Sequence, residues 1–128
     1  MRNLEINKVY YMEVITTENA EFHLFNGEKH RDEDLPAEIW SDGTKFWFFK
    51  GQLHRNGDRP AVEWADGSKV WYHHGRIHRV NGPAAMWADG TNVWYMFGKV
   101  MTNRASMASR ASMASRALTS RASASRRY

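Results

Sequence analysis

The chain has 128 residues, of which 42% are hydrophobic, 13% aromatic and none cysteine. That length fits one domain with an appendage, and the missing thiols exclude disulfides, cysteine nucleophiles and zinc–thiolate centres. The net charge of +4 is uneven: residues 1–103 carry 12 Lys and Arg against 14 Asp and Glu, giving −2, while residues 104–128 carry six arginines and no acid, giving +6.

No apolar run approaches the roughly 18 residues of a membrane-spanning helix. The opening residues lack the apolar stretch of a secretory leader. The expected setting is the cytoplasm, with no membrane contact and no cofactor.

Gly27, Gly51, Gly75 and Gly98 follow one another at 24, 24 and 23 residues, and self-similarity at such a period marks an array of like units. The first unit, about 12–35, is the faintest. Its "FHLFNG" matches the later "FWFFKG", and Glu18 and Asn19 take the place of an Asp-Gly pair. The second (about 36–59), third (60–82) and fourth (83–103) carry "PAEIWSDGTKFWFFKG", "PAVEWADGSKVWYHHG" and "PAAMWADGTNVWYMFG". Apolar runs bounded by Asp-Gly and x-Gly read as hairpins. The predicted fold is therefore all-β, an antiparallel meander of about four hairpin units.

With Asp66-Gly67 as a two-residue turn, Trp64 faces Lys69 and Val62 faces Trp71. The columns Trp40, Trp64, Trp87 and Trp47, Trp71, Trp94 then share one side of the sheet, as a core face or a partner-binding face. The x-Gly turns set His30 against His23, His54 against Trp47, His78 against Trp71 and Met101 against Trp94. Gly-Pro-Ala in "VNGPAA" opens a strand where proline does no harm; the earlier corners "DEDLPA" and "NGDRPA" are one residue longer.

The stretch "WYHHGRIHR", residues 71–79, invites a metal reading. Equivalent histidines of successive units stand about 10 Å apart, two strands at about 4.8 Å each, too far for bonds of about 2.1 Å to one ion. His73 and His74 alternate to opposite faces. His23 and His30 make a better pair but lack a third ligand, so no metal is expected. Arg31, Arg55 and Arg79 are read as packing over a ring or pairing with a turn aspartate of a neighbouring unit, in preference to binding an anionic partner.

With Gly-x-x-His-Arg, Pro-Ala, Asp-Gly and the trailing Trp in register, residues 20–101 resemble the variant MORN-type repeats, in particular the "HR-x-x-GPA…DG…W" arrays of bacteriophage and giant-virus proteins. The resemblance implies an elongated antiparallel sheet that serves as an interaction scaffold, and it supplies no catalytic residues to carry over.

Residues 104–128 change character: seven Ala, seven Ser and six Arg make up 20 of 25 positions. Neither a helix nor a strand would bury enough there to offset ordering entropy, so the tail is predicted to have no fold of its own until bound. Arg104, Arg110, Arg116, Arg121, Arg126 and Arg127 suit a polyanion or an acidic protein groove. No nucleophile elbow, phosphate loop or Ser-His-Asp grouping is present, so no enzyme is expected. The expected function is a non-enzymatic protein-binding module, phage- or virus-encoded and acting on a host protein, with the tail as a second contact. The alternatives are a nucleic-acid-associated or virion structural protein anchored by the tail, and self-association through sheet edges.

Overall fold

The structure, a computed structural model, describes residues 10–102, among which there is no helix. The main sheet begins with β1 (Met12–Thr16) and β2 (Ala20–Phe25). It continues through β4 (Glu38–Trp40), β5 (Lys45–Phe46), β8 (Val62–Glu63), β9 (Lys69–Val70), β12 (Ala85–Met86) and β13 (Asn92–Val93), laid side by side in that order. The short strand β3 (Glu28–Lys29) pairs with β2. Three small hairpins branch from the main sheet. They are β6–β7 (Phe48–Phe49, Gln52–Leu53), β10–β11 (Tyr72–His73, Arg76–Ile77) and β14–β15 (Tyr95–Met96, Lys99–Val100). Every pairing is antiparallel, as the all-β meander reading expects.

The two glycine turns use different chemistry. At Asn26-Gly27, Lys50-Gly51, His74-Gly75 and Phe97-Gly98 both central residues have positive φ, 47–50° and then 83–84°. This is the two-residue turn whose twist matches that of the flanking strands. The register follows as expected: Tyr72 faces Ile77, and the His78 N–H donates to the Trp71 carbonyl.

The Asp-Gly turns depart from expectation. Trp64 pairs with Ser68, not Lys69, and Val62 faces Val70, not Trp71. Gly67 alone is left-handed, at φ 95°, and the loop Ala65-Asp66-Gly67 is a three-residue connection with a bulge. The aspartate side chain selects it. Asp42, Asp66 and Asp89 Oδ1 each accept the N–H two residues on, from Thr44, Ser68 and Thr91, all at 2.9 Å. Those bonds also hold the three carboxyls below their ordinary pKa.

A one-residue change of register turns alternate side chains to the other face. Facing residues share a side, so Phe22, Glu38, Phe46, Val62, Val70, Ala85 and Val93 form one row across the sheet. Leu53, Tyr72, Ile77 and Tyr95 of the small hairpins fold over that row and close the core. The adjacent row, Glu21, Ile39, Lys45, Glu63, Lys69, Met86 and Asn92, lies on the opposite, polar side. Glu38 is the buried acid of the core row, held by Lys29 Nζ at 2.8 Å and Trp40 Nε1 at 2.6 Å.

Fully buried apolar residues are mostly alanine and valine, so polar ties between units carry much of the order. The Thr44 hydroxyl accepts the Ala65 N–H at 3.1 Å, and the Ser68 hydroxyl accepts the Ala88 N–H at 2.8 Å. Ser68 is 2% exposed. Ser68→Ala is expected to lower stability by about 1 kcal/mol, since it strands a partly buried donor. Thr91→Ala, at an exposed position, should change it by less than about 0.5 kcal/mol. Urea unfolding of both variants checks the difference.

Candidate functional site

The corrected register separates the tryptophans. Trp40, Trp64 and Trp87 extend the core row to the tips of three consecutive hairpins, where they are 37%, 40% and 43% exposed. Trp47 and Trp71 lie on the other side of the sheet and are each 6% exposed, while Trp94 is half-buried. The expectation that all six indoles share a side is therefore wrong. It fails because the Asp-Gly loops hold one residue more than a two-residue turn. Lys69, expected against Trp64, also lies on the opposite side.

The tip indoles are braced from one flank. Phe22 meets Trp40 edge-on at 6.0 Å between ring centroids, and Phe46 meets Trp64 at 5.4 Å. Val70 occupies the corresponding row position beside Trp87. Successive tip rings are two strands, or about 10 Å, apart. Together they form a line of partly exposed aromatics on a rigid edge.

The second column is locked by arginine, as the spacing anticipates. Arg55 stacks 3.8 Å over Trp47, and Arg79 stacks 3.8 Å over Trp71. Each then forks onto an aspartate of the preceding corner. Arg55 reaches Asp34 at 2.8 and 3.2 Å, and Arg79 reaches Asp58 at 2.9 and 3.4 Å. Asp34, also held by Arg59, has its pKa lowered, chiefly by the Arg55 hydrogen bond. Ala37, Ala61 and Ala84, all fully buried, fill corner positions beside this column. At the third corner a Cβ on Gly82 would lie 2.9 Å from Arg79 Nη1, so a side chain there would have to displace the guanidinium.

The histidines form a column of latches. His30, His54 and His78 are buried. Their Nδ1 atoms accept the backbone N–H of Lys50, His74 and Phe97, each in the turn of the next unit, at 2.9, 3.1 and 3.0 Å. Accepting at Nδ1 fixes the Nε2–H tautomer, which then donates to Asp32 from His30 and to Asn56 from His54. Rings from successive units meet in a ladder, mostly tilted against one another: Phe25, His30, Phe49, His54, then His74 and His73, His78 and Phe97. This tie across 19 or 20 residues is not legible from residue types alone.

One rung contradicts the expected separation of the histidines. His54, His73 and His74 come from two units, yet their potential ligating nitrogens lie within 4.8 Å of one another. His73 and His74 do not diverge, because His74 occupies the first left-handed position of its turn, φ 47°, and has left the alternation of the strand. The His54 and His74 rings are stacked at 4.1 Å and 17°, so their in-plane lone pairs run side by side and do not converge. Both His54 nitrogens are already engaged. As built, the rung is a packed stack, and an ion would have to displace one of these bonds. Burial is the leading cause that lowers the pKa of both His54 and His73, and neighbouring imidazoles add to it.

The His23–His30 pair is cross-strand as expected, with the His30 N–H donating to the His23 carbonyl at 3.1 Å. Their side chains take separate partners, Glu21 and Asp32. At the N-terminal edge of the sheet, β1 presents exposed Met12, Val14 and Ile15. The tail arginines from Arg104 to Arg127 lie outside the described residues. No family model, no curated protein and no solved structure matches this chain.

Proposed function

We propose that the chain is a non-enzymatic protein-binding module whose contact surface is the edge formed by Trp40, Trp64 and Trp87. The observation that carries this reading is their exposure, 37–43%, beside a second tryptophan column buried to 6%. Tryptophan is a preferred anchor of protein interfaces because a large ring is desolvated at small entropic loss. Here Phe22 and Phe46 limit the motion of two of the rings before any partner arrives. The motif likeness to phage and giant-virus arrays supports a host protein as the partner and an inhibitor or modulator role for this chain. The arginine tail adds a second contact.

The test is retention of a partner from host extract by three forms: the full chain, residues 1–103, and a Trp40→Ser/Trp64→Ser/Trp87→Ser variant with an unchanged thermal midpoint. The reading expects loss in the triple variant and about tenfold weakening on truncation. Equal retention by all three overturns it.

A second reading follows from the tail composition, six arginines without an acid. If the tail anchors nucleic acid, binding to random DNA will fall steeply with salt, by about 0.9 log units per phosphate contact per log unit of salt, and will vanish on truncation. No DNA binding at low salt removes that reading.

A further inference from the structure

Among the described residues one arginine slot recurs three times and holds an aspartate in two of them. In the second and third units the arginine donates through Nη1 to a proline carbonyl, Arg55 to Pro60 at 3.0 Å and Arg79 to Pro83 at 3.1 Å. It stacks on a tryptophan and grips an aspartate with its remaining edge. In the first unit Arg31 makes the same anchor, Nη1 to the Pro36 carbonyl at 3.2 Å.

Both companions are replaced there. His23 stands in the tryptophan position and turns to Glu21 Oε2 at 2.5 Å. Tyr10 stands where a preceding aspartate would be and stacks on Phe25. No described residue brings a carboxylate within ion-pair distance of Arg31. Arg31 borders two clefts. One, of about 120 Å³, it shares with Asp34, Trp47 and Arg55; the other, of about 340 Å³, lies on the His23 side against β1.

We propose that the Arg31 cleft binds a single carboxylate carried next to an aromatic ring, presented by an otherwise uncharged segment of a partner polypeptide. The slot is shaped by the fold for that pair of groups, since its two sisters hold an aspartate and an indole. The guanidinium is already oriented by the Pro36 carbonyl, so little freedom is lost on forming a forked, charge-assisted pair. Met12, Val14 and Leu35 supply apolar wall for the ring.

Glu13, Asp32 and Glu33 also border the cleft, and Asp32 is tied to His30 at 2.8 Å. Those acids repel a polyanion such as a nucleic-acid backbone and leave a single carboxylate as the fitting charge. The inference deepens the reading of the chain as a protein-binding module, but it uses a different surface from the indole edge.

The test follows backbone and Arg Nε–H chemical shifts of the full chain during titration with two probes. One is indole-3-acetate, and the other is the acetylated, amidated peptide Gly-Asp-Trp-Gly. Saturable shifts are expected around Arg31 and His23, with the peptide binding more tightly than the free acid. Binding should weaken about tenfold or more with Gly-Asn-Trp-Gly, with Arg31→Met and, through loss of the fork, with Arg31→Lys.

The Trp40/Trp64/Trp87 variant should bind as the parent does, which separates this site from the indole edge. Equal affinity for the Asn peptide, no change in Arg31→Met, or no saturable shift up to about 10 mM overturns the site. A peptide no tighter than indole-3-acetate overturns the polypeptide source. Markedly tighter binding by a chain beginning at residue 10 overturns the proposal in favour of occupation by the chain's own N-terminal segment.

Discussion

Trp71→Ala is expected to lower folding stability by about 4 kcal/mol, and Trp64→Ala by about 1 kcal/mol, although the two residues occupy like positions in one unit. Trp71 is 6% exposed and carries Arg79 over its ring at 3.8 Å. Truncation leaves a cavity and removes the platform from a guanidinium that also ties Asp58 and the Pro83 carbonyl. The buried Trp71 Nε1–H has no hydrogen-bond acceptor, so the loss is one of packing, and Trp71→Phe should recover a large part of it. Trp64 is 40% exposed, and its bracing contact is the edge of Phe46. Urea unfolding with tryptophan emission measures both. Equal losses would restore the register in which the two rings share a side.

That pair of variants probes the register set by the Asp-Gly turns, where structure and sequence expectation differ. The x-Gly turns were legible because both central residues need positive φ, and the flanking apolar runs admit one register. The Asp-Gly turns are less legible, because a two-residue turn there requires positive φ at the aspartate as well as the glycine. In the structure Asp66 uses its side chain to accept the Ser68 N–H, and Gly67 alone takes positive φ. The signal was present in the sequence: Thr44, Ser68 and Thr91 follow the three Asp-Gly pairs. A Ser or Thr there also supplies the hydroxyl that, at Thr44 and Ser68, reaches the next unit.

The arginine role was readable because Arg55 and Arg79 recur with the ring and acid they bind. The Arg31 slot was not, because Tyr10 in the aspartate position becomes meaningful once the other two forks are located. The His54–His73–His74 rung was missed because strand alternation does not apply to a residue inside a turn.

His54→Ala is expected to remove about 3 kcal/mol, combining the stranded N–H of His74 with lost packing against neighbouring rings. His54→Asn keeps an acceptor near the Nδ1 position and should recover about 1 kcal/mol of this. The same latch gives stability a pH dependence of definite sign. In the fold His54 is neutral, with Nδ1 accepting from His74 and Nε2–H donating to Asn56. Burial, the main cause, and nearby imidazoles lower the pKa of His54 and His73 from 6.5. The unfolded chain therefore binds protons that the folded chain refuses. The stabilisation is complete above about pH 6.5 and is lost as pH falls through the folded pKa values.

Stability should be flat from about pH 7 to 8 and decline below about 6.5, with a shallower decline in His54→Asn and His73→Gln. The opening should also be local. The His74 amide bonds to an imidazole surrounded by two others, whereas the Lys50 amide bonds to His30, which sits between Phe25 and Phe49. A fall in pH should thus weaken hydrogen-exchange protection at His74 more than at Lys50. Equal loss at both amides would mean that acid acts on the whole sheet and not on the rung where three imidazoles meet.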